Sequence, residues 1–150
     1  MIKYYGIILG SEDMPAMLLG DAGMAAIYAD MIKICAETGD IAQSEHWKKK
    51  AMKFKGWRKK STDRAISDKT SVYREYADIC RAFGDISEAL EYYKKSMKEA
   101  LKEGKTFFFL SSDYLPTLYK DIIDACNKLG KSKKAGRWEE KAEEFKNRSK

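Results

Sequence analysis

Three segments of the chain repeat one another at a step of about 45 residues, and this self-similarity limits the fold more than any other feature. "MIKICAETGD" (31–40), "YADICRAFGD" (76–85) and "DIIDACNKLGK" (121–131) each place one cysteine four residues before a glycine. The pairs are Cys35 and Gly39, Cys80 and Gly84, and Cys126 and Gly130, so the step is 45 and then 46 residues. Tyr28, Tyr73 and Tyr119 lie eleven residues before the glycine. Trp47, Tyr92 and Trp138 follow it by eight, and Ala51, Ser96 and Ala142 by twelve. A period in this range marks an array of supersecondary units, each burying its apolar face on its neighbours.

Each unit reads as two helices around the glycine. Tyr73, Tyr76, Ala77 and Cys80 fall at i, i+3, i+4 and i+7, one face of a helix. Gly84 then supplies the left-handed backbone that ends it. "DIAQ" (40–43) and "DISE" (85–88) follow as capping boxes, whereas the third copy has "KSKK" there. The second helix repeats the spacing with Trp47, Ala51 and Phe54, and again with Trp138, Ala142 and Phe145. Composition agrees with helix: Pro15 and Pro116 are the only prolines, and Ala, Lys, Glu and Met abound. Two junctions are less determined. The segment 56–71 could be a loop, or a loop plus the start of a long helix, and in 106–116 Ser112 or Asp113 is an N-cap candidate ahead of Pro116.

The closest copy, "YREYADICRAFGDISEALEYYKKSM" (73–97), resembles the tetratricopeptide repeat, whose signature is an aromatic, then Leu-Gly, then Tyr, with a later Ala and aromatic. Tyr73, Ala77, Ala89 and Tyr93 occupy the aromatic, small, small and aromatic positions, and Cys80 stands where tyrosine is usual. Ser44 and Ala135 take the second small position in the other copies. The resemblance runs from Tyr28 to about Phe145, with a period longer than the family's and no closing proline, so another helical-hairpin solenoid stays open. It implies an all-α fold in one domain, an α-solenoid of three tetratricopeptide-like hairpins at about 24–56, 68–103 and 113–148. Residues 1–23, which include "MIKYYGIIL", form the expected N-terminal capping element, since a solenoid's end needs covering.

The shared register answers what the cysteines do. Helices pack about 8–10 Å apart, and a disulfide needs Cα atoms within about 7 Å. Equivalent positions of successive repeats therefore cannot share a bond or a metal, and the thiols read as small core residues. No other pattern calls for a metal or cofactor. His46 is the single histidine, "GSEDMPAMLLGDAG" lacks a phosphate-loop spacing, and Glu139–Glu140 and Glu143–Glu144 fall on a polar helix face. An enzyme is not expected.

Charge is unevenly spread. Of the net +6, all resides in 41–68, with nine Lys/Arg against three Asp/Glu, and the remainder is neutral. Within it "WKKKAMKFKGWRKK" (47–60) interleaves basic and aromatic residues, a pattern that can grip phosphates while a ring stacks on a base. Trp47, Ala51 and Phe54 belong to the buried stripe, which leaves Lys48, Lys49 and Lys53 on a solvated convex face, a reading that explains Trp57 least. The alternative makes Lys55, Trp57, Arg58, Lys59 and Lys60 a contact patch for nucleic acid, an anionic protein or lipid. "FFFL" (107–110) is either a buried hinge between hairpins or an exposed docking patch, and burial is favoured because an exposed apolar run is a liability. No apolar run reaches the roughly 20 residues a bilayer requires. The N-terminal start lacks a convincing cleavage site, and cysteines without CxxC spacing suggest a reducing, cytoplasmic compartment.

The family resemblance implies a non-catalytic module or scaffold binding a partner peptide or helix on its concave face. In that register the inner face carries Lys33 and Glu37 in the first repeat, Arg74, Asp78 and Arg81 in the second, and Lys120, Asp124 and Asn127 in the third. Family members that clamp a C-terminal carboxylate place Lys and Asn where this chain has Ala29 and Lys33, and an arginine where it has Asp121. A mixed-charge partner therefore fits better than a carboxylate clamp. The rival expectation is a nucleic-acid-binding helical repeat that uses the basic segment 41–68.

Overall fold

One hairpin turn occurs three times, and it uses the cysteine backbone. Gly39, Gly84 and Gly130 adopt φ of 79°, 80° and 71°, the left-handed conformation that glycine tolerates best. The amide after each glycine donates to the carbonyl of the cysteine: Asp40 to Cys35, Asp85 to Cys80 and Lys131 to Cys126, each at 2.9 Å. Each glycine amide donates to the residue three before it, Ala36, Arg81 and Asn127. These paired bonds satisfy carbonyls that a helix end otherwise leaves open. The cysteine-to-glycine spacing is thus the spacing of this turn.

The computed structural model describes residues 14–103 and 114–148. They form six α-helices: α1 Met14–Glu37, α2 Ile41–Asp63, α3 Lys69–Ala82, α4 Ile86–Glu103, α5 Tyr114–Lys128 and α6 Ser132–Arg148. No strand occurs among the described residues. Gly20, at φ 66° and ψ 174°, interrupts α1. The expected cap lies largely, and "FFFL" with Ser112 and Asp113 wholly, outside the described residues. Pro116 sits in the first turn of α5, where its missing amide costs nothing. The 56–71 junction differs from expectation: α2 continues through Gly56 and Trp57 to Asp63. Lysine and arginine are good helix formers, and Thr62, buried against the protein, extends the packed face another two turns.

The chain divides into two compact units. In the first, which runs to Ala65 and includes Asp78–Asp85, α1 packs on α2. Ile27, Met31, Cys35 and Trp47 are its buried centre, with Tyr28 and Ile32 packed against them. Asp40 caps α2 by accepting from the Gln43 amide at 3.1 Å. In the second unit, Ile66–Ala77 with Ile86 onward, α5 packs on both α4 and α6. Its interior holds Tyr76, Tyr93, Met97, Leu118, Ile122 and Cys126. The Ser96 hydroxyl, fully buried, donates to the Thr70 carbonyl at 2.6 Å.

The aromatic positions of the repeat lock each hairpin. Tyr28 meets Trp47 at 6.2 Å and Phe54 at 5.7 Å. Tyr119 meets Trp138 at 6.2 Å and Phe145 at 5.8 Å. The middle copy keeps the first contact, Tyr73 on Tyr92 at 6.0 Å, has Glu99 where the others have Phe54 and Phe145, and adds Tyr76 on Tyr92 at 4.5 Å. Burial raises the Tyr28 and Tyr119 phenol pKa above the usual value. A further repeated position emerges here. Lys50, Lys95 and Lys141 lie over Trp47, Tyr92 and Trp138 at 4.9, 4.3 and 4.4 Å, shielding the ring while the ammonium stays in water.

Candidate functional site

The residues expected on the inner face divide by what they touch. On α1, Lys33 and Glu37 are exposed. On α3, Asp78 pairs with Arg81 at 3.5 Å, one helical turn away. Arg74 is an internal clasp. Its guanidinium bonds Asp121 Oδ2 at 3.3 Å and the Tyr114 carbonyl at 3.4 Å, and it stacks over the Tyr114 ring at 4.6 Å. Both ends of this ion pair are largely buried. The same contact accounts for Asp121, which stands where a carboxylate clamp would need an arginine. On α5, Lys120, Asp124 and Asn127 are all exposed at i, i+4 and i+7, so they line one face. That row is the clearest unobstructed part of the expected surface.

The basic segment divides in the same way. Lys55 pairs with Asp85, and Arg58 with Asp21 at 2.9 Å, both cations being partly buried. These two hold α2 in place within its unit. Lys59 and Lys60 are exposed. Trp57 is 61 % exposed, with the Arg58 guanidinium 5.5 Å from its ring. Lys53 and Lys60 flank it at i−4 and i+3. Gly56 beside it is exposed, and a Cβ there would meet nothing within 4 Å. Farther up the helix, Lys48 bonds Glu45 at 2.9 Å, and this bond holds the Glu45 carboxyl below its usual pKa.

All three cysteines are buried free thiols. Among the described residues, no group of three or more His, Cys, Asp or Glu side chains is placed to hold a metal ion. No helix among them is long and apolar enough to cross a membrane. His46 is exposed, its ring edge-on to Trp47 at 5.4 Å.

Comparison with family models, curated proteins and solved structures finds no match. Several surfaces of the chain remain open to a partner. Sequence reasoning missed one of them, a groove beside Trp138 lined by Lys94, Lys134, Arg137 and Lys141. Its signal was the i, i+3, i+7 spacing of Lys134, Arg137 and Lys141, which net charge conceals because Glu139 and Glu140 intervene and Glu143 and Glu144 follow.

Proposed function

We propose that this protein is a non-catalytic interaction module of long-period tetratricopeptide-like type. In this reading its three hairpins form an α-solenoid capped by the N-terminal residues, and their first helices hold a partner peptide or helix in a cytoplasmic setting. The observation that carries the reading is the threefold recurrence of one turn, one tyrosine-to-aromatic contact and one lysine-covered ring. A chain that spends its regularities on repeating a hairpin offers surface rather than a reactive centre. The exposed row Lys120, Asp124 and Asn127 is the most direct test of the surface. Once desolvated by a partner, a hydrogen bond to a charged group is worth roughly 1.5–3 kcal/mol. Lys120→Ala should then weaken capture of the physiological partner at least about tenfold with helicity intact. Wild-type affinity in that variant and in Asp124→Ala would remove the first helices from the interface.

Exposure of Trp57 beside Lys53, Lys60 and Gly56 favours a second reading, a nucleic-acid-binding helical repeat. A ring with a free edge, cations one turn away and no side chain at Gly56 would let a single strand approach closely. Contacts from Lys49, Lys53 and Lys60 would give an affinity falling with salt at a log–log slope near about −2. A flat salt dependence with a single-stranded oligonucleotide would exclude it.

A further inference from the structure

The second helices of the later hairpins enclose a surface that the repeat itself does not require. A groove of about 410 Å³ lies between Lys94 of α4 and the face of α6 that carries Lys134, Arg137, Trp138 and Lys141. A recess of about 240 Å³ shares Trp138 and Lys141 with it and adds Tyr119, Phe145 and Leu101. Leu101, 55 % exposed, joins Trp138, Tyr119 and Phe145 in that lining, so the apolar side chains there are contiguous rather than scattered. The lining is therefore basic at one end and apolar at the other. Among the described residues of the lining, Glu140 and Glu144 are the acids, against Lys94, Lys134, Arg137, Lys141 and Arg148.

Comparison among the repeats separates what the hairpin needs from what this groove adds. Lys141 belongs to the shared pattern, since Lys50 and Lys95 cover the equivalent rings. Lys134 and Arg137 do not. At their registers the middle copy carries Glu88 and Glu91, and the first carries Gln43 and His46. The hairpin folds with acids at both positions, so packing does not account for two cations there.

We infer that this groove docks an acidic amphipathic segment of another protein. Its apolar residues lie against Trp138, Phe145 and Leu101, and its carboxylates face Lys94, Lys134 and Arg137. Along α6, Lys134 to Lys141 spans about 10 Å, the reach of carboxylates repeating once or twice per turn on a docked helix. A nucleic acid fits less well. Lys141 covers a face of Trp138 at 4.4 Å, so that face is not offered to a base, and Glu140 and Glu144 would repel a continuous row of phosphates. A peptide can space its acids to avoid them. The inference rests on the interaction-module reading but uses none of the residues on α5 that test it.

The test titrates the full chain with a synthetic, tryptophan-free helix of about 18 residues, with Glu on its polar face and Leu at i, i+3, i+4 and i+7. Backbone amides of α4 and α6 should shift, together with the Trp138 indole. Lys134→Glu combined with Arg137→Glu should weaken binding at least about tenfold without changing the thermal melt. If that pair failed to fold, Lys94→Glu on the facing helix carries the same expectation. A permuted peptide of identical composition, with no apolar face, should bind at least about tenfold more weakly. Lys120→Ala should leave affinity for this peptide unchanged. Shifts confined to other helices, equal binding of the permuted peptide, or tighter binding of an oligo-dT strand at the same amides would each overturn the inference.

Discussion

Arg74 offers the sharpest test of how the second unit is held together. Replacing it with alanine removes a guanidinium whose side chain is 17 % exposed, facing an Asp121 side chain that is 12 % exposed. The lost contacts are the 3.3 Å bond to that carboxylate, the 3.4 Å bond to the Tyr114 carbonyl and the stacking on Tyr114. Hydrogen bonds to charged groups contribute roughly 1.5–3 kcal/mol, and at these lengths the lower end applies. Stacking adds about 0.5–1 kcal/mol at a partly exposed site. Leaving Asp121 with one partner fewer in a poorly hydrated place adds to the cost rather than relieving it. Arg74→Ala should therefore destabilise by about 2–3 kcal/mol. At about 2–4 °C per kcal/mol for a chain this size, Tm should fall by about 4–12 °C. Urea unfolding followed by circular dichroism gives the free energy. A double-mutant cycle with Asp121→Asn isolates the pair, with a coupling of about 1–2 kcal/mol expected. Arg74→Lys should recover only part of the loss, because an ammonium cannot bond carboxylate and carbonyl in one plane while lying flat on a ring. A loss under about 0.5 kcal/mol with no coupling would refute the clasp and return Arg74 to the pool of partner-binding residues.

Two other perturbations probe the hairpins. Gly56→Ala should stabilise the protein by about 0.5–1 kcal/mol in a urea melt, because the helix continues through an exposed position with open space for a methyl group; a loss would mean that the backbone there is closely packed. Cys80→Ala should cost about 1 kcal/mol as a small buried cavity, and the three thiols of the folded protein should react with a thiol reagent only on unfolding, so that rapid native-state labelling would contradict their burial.

The local structure of this protein was legible in its sequence because helix and turn are decided by residues close in the chain. Cysteine-to-glycine spacing marked the turns, since a left-handed glycine and the two amide bonds around it span only a few residues. Apolar spacing marked the buried faces, and Tyr28, Trp47, Cys35 and their counterparts pack there. The lysine over each aromatic is also a periodic position of the sequence, but its place above the ring emerged only from the packing. The helix boundary at Gly56 was not legible, because a glycine costs a helix only about 1 kcal/mol and packing of Thr62 farther along offsets that. Charges were the least legible of all. Arg74 and Lys120 lie in comparable registers and look alike in sequence. Arg74 is spent on Asp121 and Tyr114, 47 and 40 residues away, while Lys120 faces water. Lys55 and Arg58 are likewise held by Asp85 and Asp21, leaving Trp57 exposed between them. A long cation can reach several partners at small cost, so only the packing of one helix against another decides which charges are consumed and which remain on the surface.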